Sequence, residues 1–215
     1  MTTGLAAIAS GAFIIGLSGA LMPGPLFTVT VADSARRGFI AGPLLILGHA
    51  ILELSLVIAI IFGLGGFLKQ PLVMGVIALL GGGVLVWMGS SMVRTAGSVS
   101  LDTEVKAQAM NLNPVLLGII SSVSNPYWTL WWATIGLGYL MAALKSGWPG
   151  VAAFFIGHIM SDLLWYSAIS WGVSRGRKIL SQNVYQWAIR VCGVFLLVFG
   201  GLFLFASLGY LKKMF

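Results

Sequence analysis

The chain has 215 residues, of which 59% are apolar and only 8% are charged. Soluble domains carry about 25% charged residues, so this chain has too few to cover a water-facing surface and is predicted to lie in lipid. The net charge of +7 does not indicate nucleic-acid binding, because the basic residues lie in short gaps between apolar stretches. The single cysteine, Cys192, excludes an internal disulfide and any paired-cysteine redox or metal site.

Six apolar stretches are long enough to cross a bilayer as helices, which takes roughly 20 residues each. The first is interpreted as a retained helix and not a cleaved signal peptide, because no basic segment precedes it and the apolar run continues. We therefore predict an all-α integral membrane protein with a single transmembrane domain over residues 1–215. The predicted spans are 5–32, 39–66, 71–93, 114–144, 149–173 and 187–211, and residues 94–113 are predicted to form a cytoplasmic loop.

The distribution of lysine and arginine predicts the orientation of these spans. With both ends of the chain outside, the inner loops together with Arg190 at the inner edge of the last span hold eight basic residues, and the outer segments hold four. Cytoplasmic loops carry the excess of basic residues in membrane proteins. We therefore expect a multi-pass protein of the inner, cytoplasmic membrane with N-out and C-out topology.

The first and fourth predicted spans are each interrupted by proline. The first contains Pro23-Gly24-Pro25, and the fourth contains Asn125-Pro126. A helix kinks or breaks at such a point, because proline lacks a backbone donor and glycine is conformationally free. Half-helix ends at mid-membrane depth bind charged groups in transporters, so we expect these five residues to take part in substrate or ion binding. A purely structural kink is the alternative.

The second and fifth spans carry the same motif, in which a glycine-histidine pair precedes an acid. His49 lies four residues before Glu53, and His158 lies four residues before Asp162, so each pair shares one helix face. Ionisable groups inside a membrane usually face the bundle interior or a water-filled cavity. Our hypothesis is that the two acids carry a coupling proton or bind a substrate amine, with the histidines as hydrogen-bond partners. A structural His-to-carboxyl clasp is the alternative.

The third span has glycines at a regular interval. Gly75, Gly82 and Gly89 recur every seven residues and share one helix face. Small residues on one face allow the backbones of membrane helices to approach closely. The stripe predicts a close helix contact, although the chain has 29 glycines and general glycine richness is the alternative.

The two halves of the chain repeat the same order of elements. A broken helix, a glycine-histidine helix and a third helix follow one another in residues 1–93 and again in residues 114–215. Each half has an odd number of spans, so the second half enters the membrane from the opposite side. This predicts an inverted-topology repeat, a plan found in many secondary transporters.

Residues 23–53, PGPLFTVTVADSARRGFIAGPLLILGHAILE, resemble the signature of the LysE/RhtB family of amino-acid exporters. Residues 125–132, NPYWTLWW, resemble the family's second Asn-Pro segment, although Tyr127 stands where many members have lysine. Trp128, Trp131 and Trp132 in this segment are expected to face lipid, with a wall for a bound cation as the alternative. The resemblance implies a secondary active transporter that exports amino acids or related small metabolites by alternating access, coupled to a proton or another cation.

Two further classes are weighed against this interpretation. His49, Glu53, His158 and Asp162 could form a nitrogen and oxygen site for a divalent cation, which would suit a metal-ion exporter. Gly16-Leu17-Ser18-Gly19 matches the GxSG of an intramembrane serine hydrolase. We expect neither an enzyme nor a bound cofactor or resident metal, and the predicted partners are a small-molecule substrate, the coupling ion, lipid and a further copy of the chain in a homo-oligomer.

Overall fold

A computed structural model describes residues 2–22, 24–68, 70–98, 112–175 and 182–212, and within them the chain is helical without any strand. Pro23 and most of the predicted loop, residues 99–111, therefore lie outside the described residues. Two π-helical turns, Ile60–Leu64 and Trp132–Gly136, continue neighbouring helices. The helices are α1 (Thr2–Ala20), α2 (Pro25–Arg37), α3 (Ala41–Ala59), α4 (Gly65–Leu68), α5 (Pro71–Thr95), α6 (Pro114–Val123), α7 (Pro126–Trp131), α8 (Leu137–Leu144), α9 (Gly147–Arg175) and α10 (Gln182–Lys212).

Several of these helices are long and apolar enough to cross a membrane. They are Ala41–Leu64, Pro71–Thr95, Gly147–Arg175 and Ile189–Tyr210, and the bent pair α1 and α2 makes a fifth candidate. Helix α6 has only 10 residues and is too short to cross alone. The prediction of a helical, multi-pass membrane protein is confirmed, whereas the number of six spans stays a prediction. Helix α10 begins at Gln182, five residues before the predicted start of the sixth span at residue 187.

The first proline segment bends the chain sharply. The described residues of α1 and α2 make an angle of 82°, and α2 begins with Pro25 in its first turn after an extended Gly24. Proline fits the first turn of a helix because the backbone N–H that it lacks would have no partner there. The predicted break in the first span is therefore confirmed.

The second proline segment also ends one helix and starts another. Helix α7 begins at Pro126, and the Asn125 side chain accepts a hydrogen bond of 3.1 Å from the backbone N–H of Tyr127. Asparagine is a favourable cap of this kind because its side-chain oxygen satisfies a free N–H of the first turn. A Cβ atom on Gly24 would lie 2.8 Å from Asn125 Nδ2, so the two broken segments meet inside the bundle.

The main helix contacts join the two halves reciprocally. Helix α1 packs on α9, α3 packs on α6, and α5 packs on α10. Three close approaches depend on glycine, because a Cβ on Gly48, Gly118 or Gly157 would overlap a backbone carbonyl of the facing helix. The first helix of each half therefore lies against the glycine-histidine helix of the other half: α1 against α9, and α6 against α3.

The glycine stripe of α5 lies at the contact with α10. Gly82 faces the Gly200 carbonyl and Gly89 faces the Gly193 carbonyl, with Cβ-to-oxygen distances of 2.9 and 2.6 Å if a Cβ were added. The same holds in return, since Gly193 and Gly200 face the carbonyls of Gly89 and Gly82 at 2.9 Å. The predicted close contact is confirmed, and its reciprocal form is typical of two antiparallel helices.

Candidate functional site

The two His-acid pairs of the sequence meet at one place in the bundle. We call His49, Glu53, His158 and Asp162 the His-acid cluster; all four side chains are buried, and Glu53 is only 1% exposed. The Nε2 atom of His49 lies 3.1 Å from Glu53 Oε1, and the Nε2 atom of His158 lies 2.9 Å from Glu53 Oε2. Glu53 therefore contacts a histidine of each half of the chain.

Asp162 completes the cluster at slightly longer distances. Its Oδ2 atom lies 3.8 Å from His49 Nε2 and 3.7 Å from His158 Nε2. Each imidazole thus faces both carboxyl groups, one on its own helix and one on the other. The arrangement alternates proton donors and acceptors, so protons can be shared between carboxyls and imidazoles over short distances.

Two indole N–H groups hold one oxygen of the central carboxyl. Trp128 Nε1 and Trp132 Nε1 donate to Glu53 Oε1 at 2.9 and 2.6 Å. The tryptophans of this segment were expected to face lipid, and this is wrong for Trp131 and Trp132, which are 4% and 2% exposed. A buried indole N–H needs an acceptor. Trp132 donates to Glu53, and Trp131 donates to the Ser18 hydroxyl.

The hydrogen bonds of Ser122 define the tautomer of His49. The Ser122 hydroxyl lies 2.7 Å from the Gly118 carbonyl, which can only accept, so the hydroxyl proton is used there. The His49 Nδ1 atom lies 2.7 Å from Ser122 Oγ and must therefore donate its N–H to that oxygen. His49 Nε2 therefore faces Glu53. A proton between them can be bound either by the imidazole or by the carboxylate.

His158 is positioned mainly by ring contacts. Its ring stacks on Trp131 at a centroid distance of 4.7 Å and lies nearly parallel to Phe154 at 6.0 Å. The His158 Nδ1 atom has no hydrogen-bond partner among the described residues, and Gly16 lies on that side of the ring. The two halves therefore differ here, because the Nδ1 atom of His49 contacts the Ser122 hydroxyl, whereas Gly16 lies at the matching position beside His158.

Three buried atoms that face one another lack aligned hydrogen bonds within the described part of the chain. They are Glu53 Oε2, His158 Nε2 and Asp162 Oδ2. Glu53 Oε2 and His158 Nε2 are 2.9 Å apart, but their geometry is that of an electrostatic contact and not of an aligned hydrogen bond. Buried polar atoms without partners are rare, so this cluster is suited to bind a proton or a cation.

A cavity of about 40 Å³ adjoins the cluster. A buried water needs roughly 10–15 Å³ of such space, so this cavity has room for a few waters or an ion. Of the predicted residues, the four cluster members and Asn125 line it, together with Ser122, Trp128 and Trp131 among others. Gly24 contacts Asn125 from outside this lining.

Two further predicted residues, Pro25 and Pro126, each lie at another cavity. Pro25 lines a cavity of about 200 Å³ between α2 and α6, which extends to Asp33 and Arg36 near the end of α2. Asp33 accepts a 2.9 Å hydrogen bond from Arg37, which links it to the segment before α6 through the Leu112 carbonyl. Pro126 lines a third cavity of about 400 Å³ between α5 and the second break.

Trp132→Phe is expected to lower the free energy of unfolding in detergent by about 1.5–3 kcal/mol, the usual value of a hydrogen bond to a charged group. The matched control is Trp165→Phe, since the buried Trp165 N–H has no acceptor within the described segments. Both changes remove the same atoms, so the difference between their thermal denaturation curves isolates the bond to Glu53. Equal destabilisation by the two variants would contradict this role.

Comparison with known proteins identifies the family of this chain. A model of the LysE type translocator family matches residues 17–207. The chemotactic transduction protein ChpE of Pseudomonas aeruginosa is 29% identical over 199 residues, which cover 91% of this chain and 97% of ChpE. YcgF of Bacillus subtilis, whose assignment to amino acid efflux is provisional, is 24% identical over 87% of this chain and 90% of its own length.

A membrane protein of Haemophilus influenzae, itself uncharacterised, is 26% identical over 198 residues, or 87% of this chain and 91% of its own length. No solved structure matches the chain significantly. The family match covers both proline breaks and the whole His-acid cluster. The chain therefore belongs to the LysE type translocator family, a family of membrane transporters.

Proposed function

We propose that this protein is a secondary active transporter that exports amino acids or related small metabolites, with the His-acid cluster as its proton-coupling site. The observation that carries the proposal is the contact of Glu53 with one histidine from each half, at 3.1 and 2.9 Å. Ionisable groups are costly inside a membrane and are usually retained for function. The provisional assignment of the relative YcgF to amino acid efflux supports the same class of substrate.

Protonation of the cluster would control the contact between the two halves. The contacts Glu53–His158 and His49–Asp162 both join α3 to α9, at 2.9 and 3.8 Å. An ionised carboxyl next to a protonated imidazole holds the helices together, whereas loss or gain of one proton leaves a buried charge without a partner. The cluster therefore favours different relative positions of α3 and α9 in different protonation states, which is the requirement for coupling.

Alternating access would follow from two three-span halves that cross the membrane in opposite directions. The reciprocal contacts α1 with α9, α3 with α6 and α5 with α10 support such an inverted repeat. The α5–α10 contact, which depends on paired glycines, would act as a fixed axis while the other two pairs move. We place both ends of the chain outside, in agreement with the excess of basic residues in the inner loops.

The substrate would bind where the two broken helices meet. The N-terminus of α2 has no side-chain cap, because Gly24 precedes Pro25, and its free backbone N–H groups attract a carboxylate. Asn125 lies against Gly24 and also lines the cavity beside the cluster. The ammonium group of an amino acid would then point to the carboxyl groups of the cluster. The cavity of about 40 Å³ is too small for an amino acid, so binding requires it to open.

The test uses the purified protein in proteoliposomes. Vesicles loaded with one unlabelled amino acid at a time are diluted into a trace of the labelled compound, and exchange is measured with and without a pH gradient. We expect at least one amino acid to exchange, its net flux to follow the proton gradient, and a protonophore to remove the net flux. The absence of exchange for every amino acid tested would overturn the proposed substrate class.

A further inference from the structure

We propose that the His-acid cluster binds one divalent transition-metal ion of the zinc class, with one ligand atom from each of its four residues. The proposed function uses the same residues for protons, so this inference concerns a second occupant of that site. It depends on the geometry of the cluster and not on the identity of the exported solute. Histidine nitrogen and carboxylate oxygen are ligands that zinc and its neighbours in the first transition series accept.

The distances between the ligand atoms are close to those of a tetrahedral site. One nitrogen or oxygen atom from each residue lies within 4.8 Å of the others. The Nε2 atom of His158 lies 2.9 Å from Glu53 Oε2 and 3.7 Å from Asp162 Oδ2, and the Nε2 atom of His49 lies 3.8 Å from Asp162 Oδ2. Metal–ligand bonds of about 2.0–2.2 Å place tetrahedral ligands about 3.3–3.6 Å apart. The separations of 3.7 and 3.8 Å would have to close by a few tenths of an ångström, and the widest separation among the four atoms by up to about 1.5 Å, for all of them to bind one metal.

The groups around the cluster orient the ligands. His49 donates its Nδ1–H to Ser122 Oγ, which leaves Nε2 free to bind a metal, and metal-binding histidines usually have such a second partner. Both indole N–H groups bind Glu53 Oε1, which leaves Glu53 Oε2 available. Ring stacking on Trp131 holds the His158 imidazole in place.

The atoms that would bind the ion are those that lack aligned hydrogen bonds within the described residues. Glu53 Oε2, His158 Nε2 and Asp162 Oδ2 are all buried, and the two carboxylate oxygens lie 2.9 and 3.7 Å from the histidine nitrogen. A metal ion would satisfy all three at once, together with His49 Nε2. The adjoining cavity of about 40 Å³ gives an ion room to reach them when the bundle opens.

The charge of the cluster also suits a divalent ion. Two neutral imidazoles and two carboxylates carry a charge of −2, so either two protons or one divalent cation makes the site neutral, as a low-dielectric interior requires. Metal binding therefore releases two protons and competes with them. Magnesium and calcium are disfavoured because they prefer six or more oxygen ligands.

The experiment titrates cobalt(II) and zinc into the detergent-purified protein, isolated with a tag that contains no histidine. We expect one cobalt per chain with the intense visible absorption of tetrahedral cobalt, displacement by zinc, and no displacement by a 1,000-fold excess of magnesium. Asp162→Asn should weaken zinc binding at least 100-fold. The control Asp33→Asn removes a buried acid outside the cluster and should leave binding unchanged.

The wild-type protein alone gives a second readout, which needs no variant to fold. Calorimetric titration with zinc in buffers of different ionisation enthalpy counts the protons released, and we expect about two per ion. Octahedral cobalt spectra, equal binding of magnesium or no proton release would overturn the proposal. Metal binding without amino-acid exchange would overturn only the proposed function, and exchange without metal binding would overturn only this inference.

Discussion

Glu53→Gln is expected to abolish gradient-driven export, with a loss in initial rate of at least about 100-fold. Glutamine keeps the shape of the side chain but cannot exchange a proton with His49 or His158, which contact Glu53 at 3.1 and 2.9 Å. A positioned proton-transfer group contributes about 10²–10⁴-fold to the rate of the step that uses it, which sets the size of the expected loss. The rate is measured in proteoliposomes with an imposed pH gradient.

The control for this variant is Ser55→Ala on the same helix. The Ser55 side chain is exposed and, among the residues that the structure describes, bonds only to the Ile51 carbonyl of its own turn, so flux should stay at the wild-type level. Thermal denaturation of both purified variants separates loss of coupling from loss of folding. Gradient-driven flux at the wild-type rate in a correctly inserted Glu53→Gln protein would exclude this carboxyl as the coupling group.

Gly48→Ala is expected to destabilise the protein by about 3 kcal/mol or more, a large value for overpacking. An added Cβ would overlap the Val115 carbonyl and lie 2.8 Å from its carbon, and this backbone cannot move aside as a flexible side chain could. Helices α3 and α6 would have to separate, and His49 and Ser122 would separate with them. Gly118→Ala should act similarly, since its Cβ would overlap the Leu45 carbonyl on the other side of the same contact.

The control for the packing prediction is Gly172→Ala in α9. A Cβ added there meets nothing within 4 Å, and alanine is about 1 kcal/mol more favourable than glycine in a helix. Gly172→Ala should therefore be neutral or stabilising. Thermal unfolding of the three purified variants in one detergent provides the comparison. A Gly48→Ala protein that melts like Gly172→Ala would show that α3 and α6 do not pack closely.

Local sequence features predicted the helical breaks because their cause is local. Pro25 and Pro126 lack a backbone N–H and begin helices, and Asn125 caps the second of them as its side chain allows. The i to i+4 spacing within each His-acid pair is likewise a property of one helix. The pairing of one motif with the other was a hypothesis, since residues 49 and 158 are far apart along the chain.

The sequence did not show which of the two acids makes the closer contacts in the cluster. Both follow a glycine-histidine pair at the same spacing, yet Glu53 has the shorter contacts to the histidines and both indole donors. The lipid-facing expectation for Trp132 failed for a related reason. An apolar predicted span favours an indole that faces lipid, but a strong acceptor on another helix decides the direction of an indole N–H.

The amino-acid sequence by itself determined that this protein lies in lipid, and it determined where its helices break. Low charge requires lipid, and proline removes backbone donors whatever surrounds it. Only the tertiary structure decided that Glu53 contacts both histidines, that Ser122 selects the tautomer of His49, and that Gly16 leaves His158 Nδ1 without a matching hydroxyl. These contacts join distant parts of the chain, and they form because glycine allows backbones of opposite halves to touch.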